Sequence, residues 1–262
     1  MARNNSNNFF MGGLFVLGIL VGLLIYQNFF PPTLVERVYS EQDGKVSITT
    51  RPLSFTEVYN SRMPVLAVKS DDNAGIVSYA NIEVRSGKGR VLINTNPFVE
   101  PDTQFSAETA VNIAEKTAGV NLDDRDVILT FEANTSLVGG PSAGAAITIA
   151  TLAAIQNKRP KEGVAMTGTI EPDGSIGQVG GVLEKAQAAS EGGFKLFLVP
   201  KGFINLIYYE KQVKQRRVGP FVFQEVSYVP HKLDLAKYAM DKWKLEVKEV
   251  ANIMEARTYF EV

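Results

Sequence analysis

Two short segments of this chain hold side chains that complement each other chemically. Gly140-Pro141-Ser142-Ala143-Gly144 presents a serine among small residues, and Gly180-Gly181-Val182-Leu183-Glu184-Lys185-Ala186 presents a lysine. A serine hydroxyl is a poor nucleophile at neutral pH unless a base lies beside it, and a lysine amine is a base only where burial lowers its pKa. Each segment supplies what the other lacks. From Ala143 to Ile155 nearly every residue is Ala, Ile, Leu or Thr, which predicts a buried helix that stops before Asn157-Lys158-Arg159-Pro160. Ser142 then belongs to its first turn, with Pro141 just ahead, where a fixed φ and a missing N–H do no harm. Gly139, Gly140 and Gly144 let a substrate backbone come close, and the unpaired N–H groups of that turn can face a developing oxyanion. Read alone, Ser142 is better taken as an N-cap beside a tight glycine turn.

The lysine shifts that balance. In a helix over Val182 to Glu191, closed by Gly192-Gly193, the inward stripe is Val182, Lys185, Ala186 and Ala189, while Glu184, Gln187 and Glu191 lie on more polar sides. An ammonium aimed at a core snorkels out, finds a carboxylate, or gives up its proton. Snorkelling makes Lys185 an ordinary edge residue; deprotonation makes it a base for Ser142.

The stretch from about Gly75 to Gly202 resembles the proteolytic domain of Lon proteases, which use a Ser-Lys dyad. The likeness rests on Gly-Pro-Ser-Ala-Gly with Ser142, Met166-Thr167-Gly168, the Asp173-Gly174 turn, Val179-Gly180-Gly181, Glu184-Lys185-Ala186, and Pro200 after a strand. The 43-residue separation of Ser142 and Lys185 is also that family's. The likeness is nearest to archaeal membrane-anchored or stand-alone Lon-like proteins lacking the ATPase module. It implies Ser142 as nucleophile, Lys185 as general base and Thr167 as a supporting hydroxyl, with Gly140, Pro141, Ala143 and Gly144 framing the oxyanion and substrate backbone. It also implies the family's mixed-sheet fold, protein or peptide substrates, and a homo-oligomeric, hexameric ring. Two positions depart from the bacterial pattern: Gly139 stands where an acidic residue precedes the serine by three, and Thr169 where a Glu follows the threonine by two. No acidic third member is carried over.

Two other readings stand beside the endopeptidase. Gly140 to Gly144 also fits the nucleophile elbow of α/β-hydrolases, which needs an acid and then a histidine downstream. The one histidine is His231, in Pro230-His231-Lys232, which reads as an exposed turn. The apolar run Val127 to Phe131 stops short of the serine and leaves Glu132 to Gly140 as a loop, where an elbow requires a strand. The other reading is a non-catalytic, membrane-tethered binding module.

The elements that must position these residues alternate between strand and helix. Val65 to Val68, Ile76 to Val84, Arg90 to Asn94, Val127 to Phe131, Val164 to Ile170 and Leu196 to Val199 read as strands, and Phe105 to Thr117 as a helix ending at Gly119. Glu171-Pro172-Asp173-Gly174 is a sharp turn. A last strand, Leu245 to Val250, precedes a short helix starting at Ile253. Interleaving of this kind predicts an α/β fold of the layered, α+β sort. Residues 203 to 243, with Tyr208, Tyr209, Tyr228 and Tyr238, are atypical for the family, and the sequence leaves a lid, a subunit contact and plain surface open.

The 262 residues are 45% hydrophobic with net charge −1, enough for one domain of about 200 residues plus appendages. Balanced charge argues against nucleic acid as a partner. With no cysteine and one histidine, no metal site is expected, and no cofactor. No G-x-x-x-x-G-K-[ST] phosphate loop occurs, so ATP-driven delivery would need a separate ATPase or unfoldase. Phe9 to Tyr26 lacks charge and, extended through Phe30, is about long enough to cross a bilayer. The expected organisation is a tail over 1–8, a transmembrane anchor in membrane lipid over 9–30, a linker over 31–62 containing a short strand near Lys45 to Thr50, and a protease domain over 63–262. Arg3 ahead of the anchor places the catalytic domain outside the cytoplasm, on a single-pass protein of the cell membrane.

Overall fold

The computed structural model describes residues 34–42, 45–53, 58–218 and 221–262. The chain forms two compact units, Met1–Phe55 and Thr56–Val262. The described part of the first is an antiparallel ribbon of β1 (Leu34–Gln42) and β2 (Lys45–Leu53), in which Gln42 faces Lys45 and Leu34 faces Leu53. The short strand expected at 45–50 is therefore one arm of a nine-residue pairing. The expected anchor at 9–30 lies outside the described residues. Among those described, no helix is long and apolar enough to cross a membrane.

In the second unit the order is β3 (Tyr59–Val68), β4 (Gly75–Ser86), β5 (Val91–Ile93), β6 (Phe98–Val99), α1 (Pro101–Ala118), β7 (Arg125–Glu132), β8 (Leu137–Val138), a 3-10 turn (Pro141–Ala143) and α2 (Gly144–Ile155). It continues through β9 (Val164–Met166), β10 (Thr169–Ile170), β11 (Ile176–Gly177), α3 (Val182–Glu191), β12 (Leu196–Pro200), β13 (Asn205–Val218), β14 (Phe221–Asp234), α4 (Leu235–Trp243), β15 (Glu246–Val250) and α5 (Ile253–Phe260). Strand β3 begins inside the stretch read as linker, because Ser61 and Met63 turn inward with Val65 along one pleat.

Two sheets organise the unit. The larger runs β3-β4-β7-β5 and is mixed, with antiparallel β3/β4 and β4/β7 pairs and a parallel β5/β7 pair. The smaller runs β15-β12-β9 and is parallel throughout. Strand period two divides the smaller sheet between two cores. Val164, Met166, Leu198 and Val250 join the core built on α1, α2 and the larger sheet, while Ala165, Phe197, Val199 and Val247 join α3 and α4 in the other. This is the α/β, mixed-sheet arrangement expected from the sequence.

Helix α2 is apolar all round and has every residue but Ile155 buried, as a central helix must. It packs against α1, β3 and β4. Helix α1 is amphipathic and longer than its periodic core suggested. It starts at Pro101, and Gly119 at φ 67° closes it with N–H bonds back to the carbonyls of Glu115 and Lys116.

Three expectations are corrected. The apolar run Val164 to Ile170 is two strands, because the chain breaks between β9 and β10 at Thr167-Gly168. The loop from Glu132 to Gly140 holds β8, which pairs with β6 in parallel. His231 lies within β14, half-buried and opposite Tyr208, rather than in an exposed turn. The atypical segment resolves into two parts. Strands β13 and β14 form a two-stranded antiparallel ribbon. Helix α4, capped by Asp234 on the Lys237 N–H, buries Leu235 and Ala239 in the second core.

Candidate active site

Ser142 sits in the 3-10 turn immediately before α2, one element earlier than a helix starting at Ala143 would place it. The turn forms there because Gly140 takes φ 89° and ψ 143°, a conformation open to glycine, and Pro141 supplies the fixed φ of the first position. Ser142 and Ala143 are half-buried, Pro141 is exposed and Gly144 is buried. A side chain at Gly140 would meet open space, so the approach to the serine from that side is clear.

The strand break at Thr167-Gly168 grips this turn. The Gly168 N–H donates to the Ser142 carbonyl at 3.0 Å, and the Ala145 N–H donates to the Gly168 carbonyl at 3.1 Å. The Thr167 hydroxyl donates to the Ser142 carbonyl at 3.2 Å. Thr167 is itself held by its N–H on the Leu198 carbonyl of β12 at 3.0 Å. A continuous strand would alternate these residues out of reach, so the break gives both of them the same acceptor.

Lys185 arrives from α3. Val182, Ala186, Ala188 and Ala189 bury around it, and Lys185 itself is 3% exposed. It does not snorkel. Its Nζ donates to Thr167 Oγ1 at 3.3 Å, and among the described residues it forms no ion pair with a carboxylate. Burial drives its pKa from an ordinary 10.5 down to about 8, against a smaller upward pull from the Glu184 carboxylate next in the chain. The amine is thus poised to lose its proton close to neutral pH, and Thr167 bridges it to the backbone of Ser142.

Helix α1 holds the other side of the turn. Asp102 Oδ1 accepts from the Gly140 N–H at 3.3 Å, Thr103 Oγ1 donates to the Gly140 carbonyl at 3.1 Å, and Ser106 Oγ donates to the Pro141 carbonyl at 3.1 Å. Thr103 and Ser106 are buried. These contacts span more than thirty residues of sequence, and no local pattern announces them. Gly139, where resemblance to bacterial enzymes expects an acidic side chain, lies against the Glu100 carboxyl.

The structure therefore brings Ser142, Thr167 and Lys185 into one connected set beside Gly140 to Gly144. His231 lies on β14, which pairs with β13 and packs on α4.

A mixed α/β unit with a serine turn, a buried threonine and a desolvated lysine at the junction of its two sheets is the class that the fold and site define. The family model of the Lon protease (S16) C-terminal proteolytic domain matches residues 106–214, a span holding all three side chains. The archaeal Lon protease of Archaeoglobus fulgidus is 33% identical over 161 residues, 58% of this chain and 25% of that protein. Lon protease 2 of Thermus thermophilus is 27% identical over 218 residues, 76% of this chain and 26% of that protein. The peroxisomal Lon protease homolog 2 of Eremothecium gossypii is 30% identical over 208 residues, 71% of this chain and 20% of that protein. The chain spans about a quarter or less of the length of these curated relatives. It carries a Lon-type proteolytic domain.

Proposed function

We propose that the chain is a serine endopeptidase that cleaves unfolded or partner-delivered polypeptides with Ser142 as nucleophile and Lys185 as general base. The observation that carries this is the Lys185 amine, buried with no carboxylate ion pair among the described residues and one threonine hydroxyl from the Ser142 backbone. The neutral amine takes the hydroxyl proton as Ser142 Oγ attacks the carbonyl carbon, forming the C–O bond of a tetrahedral intermediate. Backbone N–H groups of the turn around Ser142 receive the oxyanion. The lysine ammonium then gives its proton to the leaving amine as the C–N bond breaks, and water, deprotonated by the same amine, hydrolyses the acyl-enzyme. Thr167 orients the amine between these transfers.

The uncharged stretch within 9–30 supports a single-span tether with the catalytic domain outside the cytoplasm. Likeness to Lon supports a ring of like subunits, and delivery of substrate by an unfoldase is part of the same reading.

Cleavage of casein by the purified chain, by Ser142→Ala and by Lys185→Ala tests the assignment. Both variants are expected to lose activity by about a thousandfold or more while keeping the wild-type circular dichroism. Turnover by Lys185→Ala at the wild-type rate would remove the lysine from the mechanism.

A further inference from the structure

Lys185 hangs from the start of α3, where its N–H donates to the carbonyl of the N-cap Gly181 at 2.9 Å and no side chain caps the helix. What this start rests on is the larger sheet. Val68, the last residue of β3, and Gly75, the first of β4, face each other across the strand pair and so share one face of the sheet, and α3 packs on both strands. Val68 lies under Gly181, where a Cβ would be 2.5 Å from Val68 Cγ2. Gly75 lies under Glu184: a Cβ on residue 75 would overlap the Glu184 carbonyl oxygen and be 2.6 Å from its carbon and 3.0 Å from Ala188 Cβ.

The carbonyl of Glu184 is half of the peptide group that attaches Lys185. A long side chain swings away from such an overlap, whereas a carbonyl inside a helix is relieved only by moving the helix. Gly75 is not left-handed, so it serves here by its size and not by its conformation. The turn joining the pair is held as well: the Lys69 N–H donates to the Ala74 carbonyl at 2.9 Å, the Asn73 N–H to the Lys69 carbonyl at 3.1 Å, and the Ala74 N–H to Asp72 Oδ1 at 2.9 Å.

Magnitudes decide what a side chain at 75 would do. Opening that overlap to an ordinary carbon–carbon contact of about 3.5 Å moves the start of α3 by about 1 Å. The bond from Lys185 Nζ to Thr167 Oγ1 is already 3.3 Å long, at the far end of the usual range, and a shift of that size is enough to part it. Among the described residues Glu184 is the charged group that acts on the amine, and the core that β3, β4, β12 and α4 share with α3 is apolar, with Leu66, Val77, Phe197 and Leu235 in it. How deep the amine lies therefore governs how readily it gives up its proton.

We propose that the Val68 and Gly75 pair is the seat of the general base, with Gly75 a positioning residue: the absence of a side chain at 75 lets α3 settle to the depth at which Lys185 meets Thr167. This rests on the assignment of Lys185 above.

The pH dependence of kcat on casein tests the seat, with Gly75→Ala, Val68→Ala, Gly192→Ala and Lys185→Ala measured beside the wild type. The wild-type midpoint is expected near 8. Gly75→Ala is expected to lose kcat by about tenfold to a hundredfold at neutral pH and to move the midpoint up by about half a unit or more, since an amine reached by water regains its ordinary proton affinity. Val68→Ala, which removes atoms from the seat and adds none, is expected to move it the same way by less. Gly192→Ala crowds the far end of the same helix, where a Cβ would be 3.0 Å from Val77 Cγ2 and Phe194 Cε2, and is expected to lower the melting temperature and leave the midpoint in place. A purely structural role for Gly75 would give that same pattern. A folded Gly75→Ala with the wild-type midpoint overturns the proposal, as does an equal shift in Gly192→Ala. Where Gly75→Ala fails to fold, the wild-type midpoint in Val68→Ala overturns it. Turnover retained by Lys185→Ala would instead strike at the base assignment.

Discussion

Withdrawing a lysine ammonium from water costs more than a single threonine hydroxyl returns, and Lys185 answers by shedding its proton near pH 8 rather than near 10.5. The sign of the linked stability follows. Between these two values the unfolded chain binds the proton and the folded chain does not, so stability rises as pH climbs from about 8 towards 10.5. A shift of that size corresponds to about 3 kcal/mol. Lys185→Met keeps an unbranched side chain one atom shorter, without the charge. Urea denaturation should find this variant more stable than wild type below pH 8, by up to about 3 kcal/mol, with the difference shrinking above that pH. Equal stabilities across the range would show that Lys185 is solvated in the folded state. The inward placement of Lys185 was legible in the sequence because helical spacing put it on an alanine stripe. Its threonine partner was legible only through family resemblance, since Thr167 is eighteen residues away and reaches it through a break in what looks like an unbroken apolar strand.

Elements rather than single residues decide how closely the site is held, and α2 is the pivotal one. Its first residue, Gly144, sits where α1 and β10 both come close: a Cβ there would be 2.5 Å from Ser106 Oγ and 2.7 Å from Ile170 Cγ2. Alanine in place of glycine inside a helix normally stabilises by about 1 kcal/mol. Here the overlap reverses the sign, and Gly144→Ala is expected to destabilise by about 1–3 kcal/mol in urea denaturation and to lower kcat by pushing Ser106 off the Pro141 carbonyl. A stabilised and fully active Gly144→Ala would mean that α1 does not brace the turn. The buried helix itself was plain in the sequence, because a run of Ala, Ile, Leu and Thr without a polar side has nowhere to lie but in a core. The brace was not legible. Thr103 and Ser106 look like polar positions on an amphipathic helix, and their acceptors, the Gly140 and Pro141 carbonyls, belong to the backbone and leave no trace in residue types.

At the scale of the molecule, two sheets share one chain, and their junction brings β9, β10, α2 and α3 together where the reactive residues meet. Strand and helix alternation predicted the layers. The division into a mixed and a parallel sheet depends on which strands pair across long separations, as β4 does with β7, and local pattern does not carry that information. The ribbon of β13 and β14 was missed for a related reason: both faces mix apolar and polar residues, so neither strand shows a one-sided alternation. His231 fell with it, since a proline and a lysine on either side read as a turn when the pairing strand is unknown. What unites these scales in the proposed mechanism is one proton transfer, from the hydroxyl of Ser142 to an amine whose pKa burial lowers to about 8. The most direct measurement is the rate at which Ser142 is modified by a serine-reactive phosphonate as a function of pH, with the adduct located by mass spectrometry. The account predicts a rate that rises with pH through a midpoint near 8 and a pH response that vanishes in Lys185→Ala. A rate independent of pH over this range, or a profile unchanged by Lys185→Ala, would contradict it.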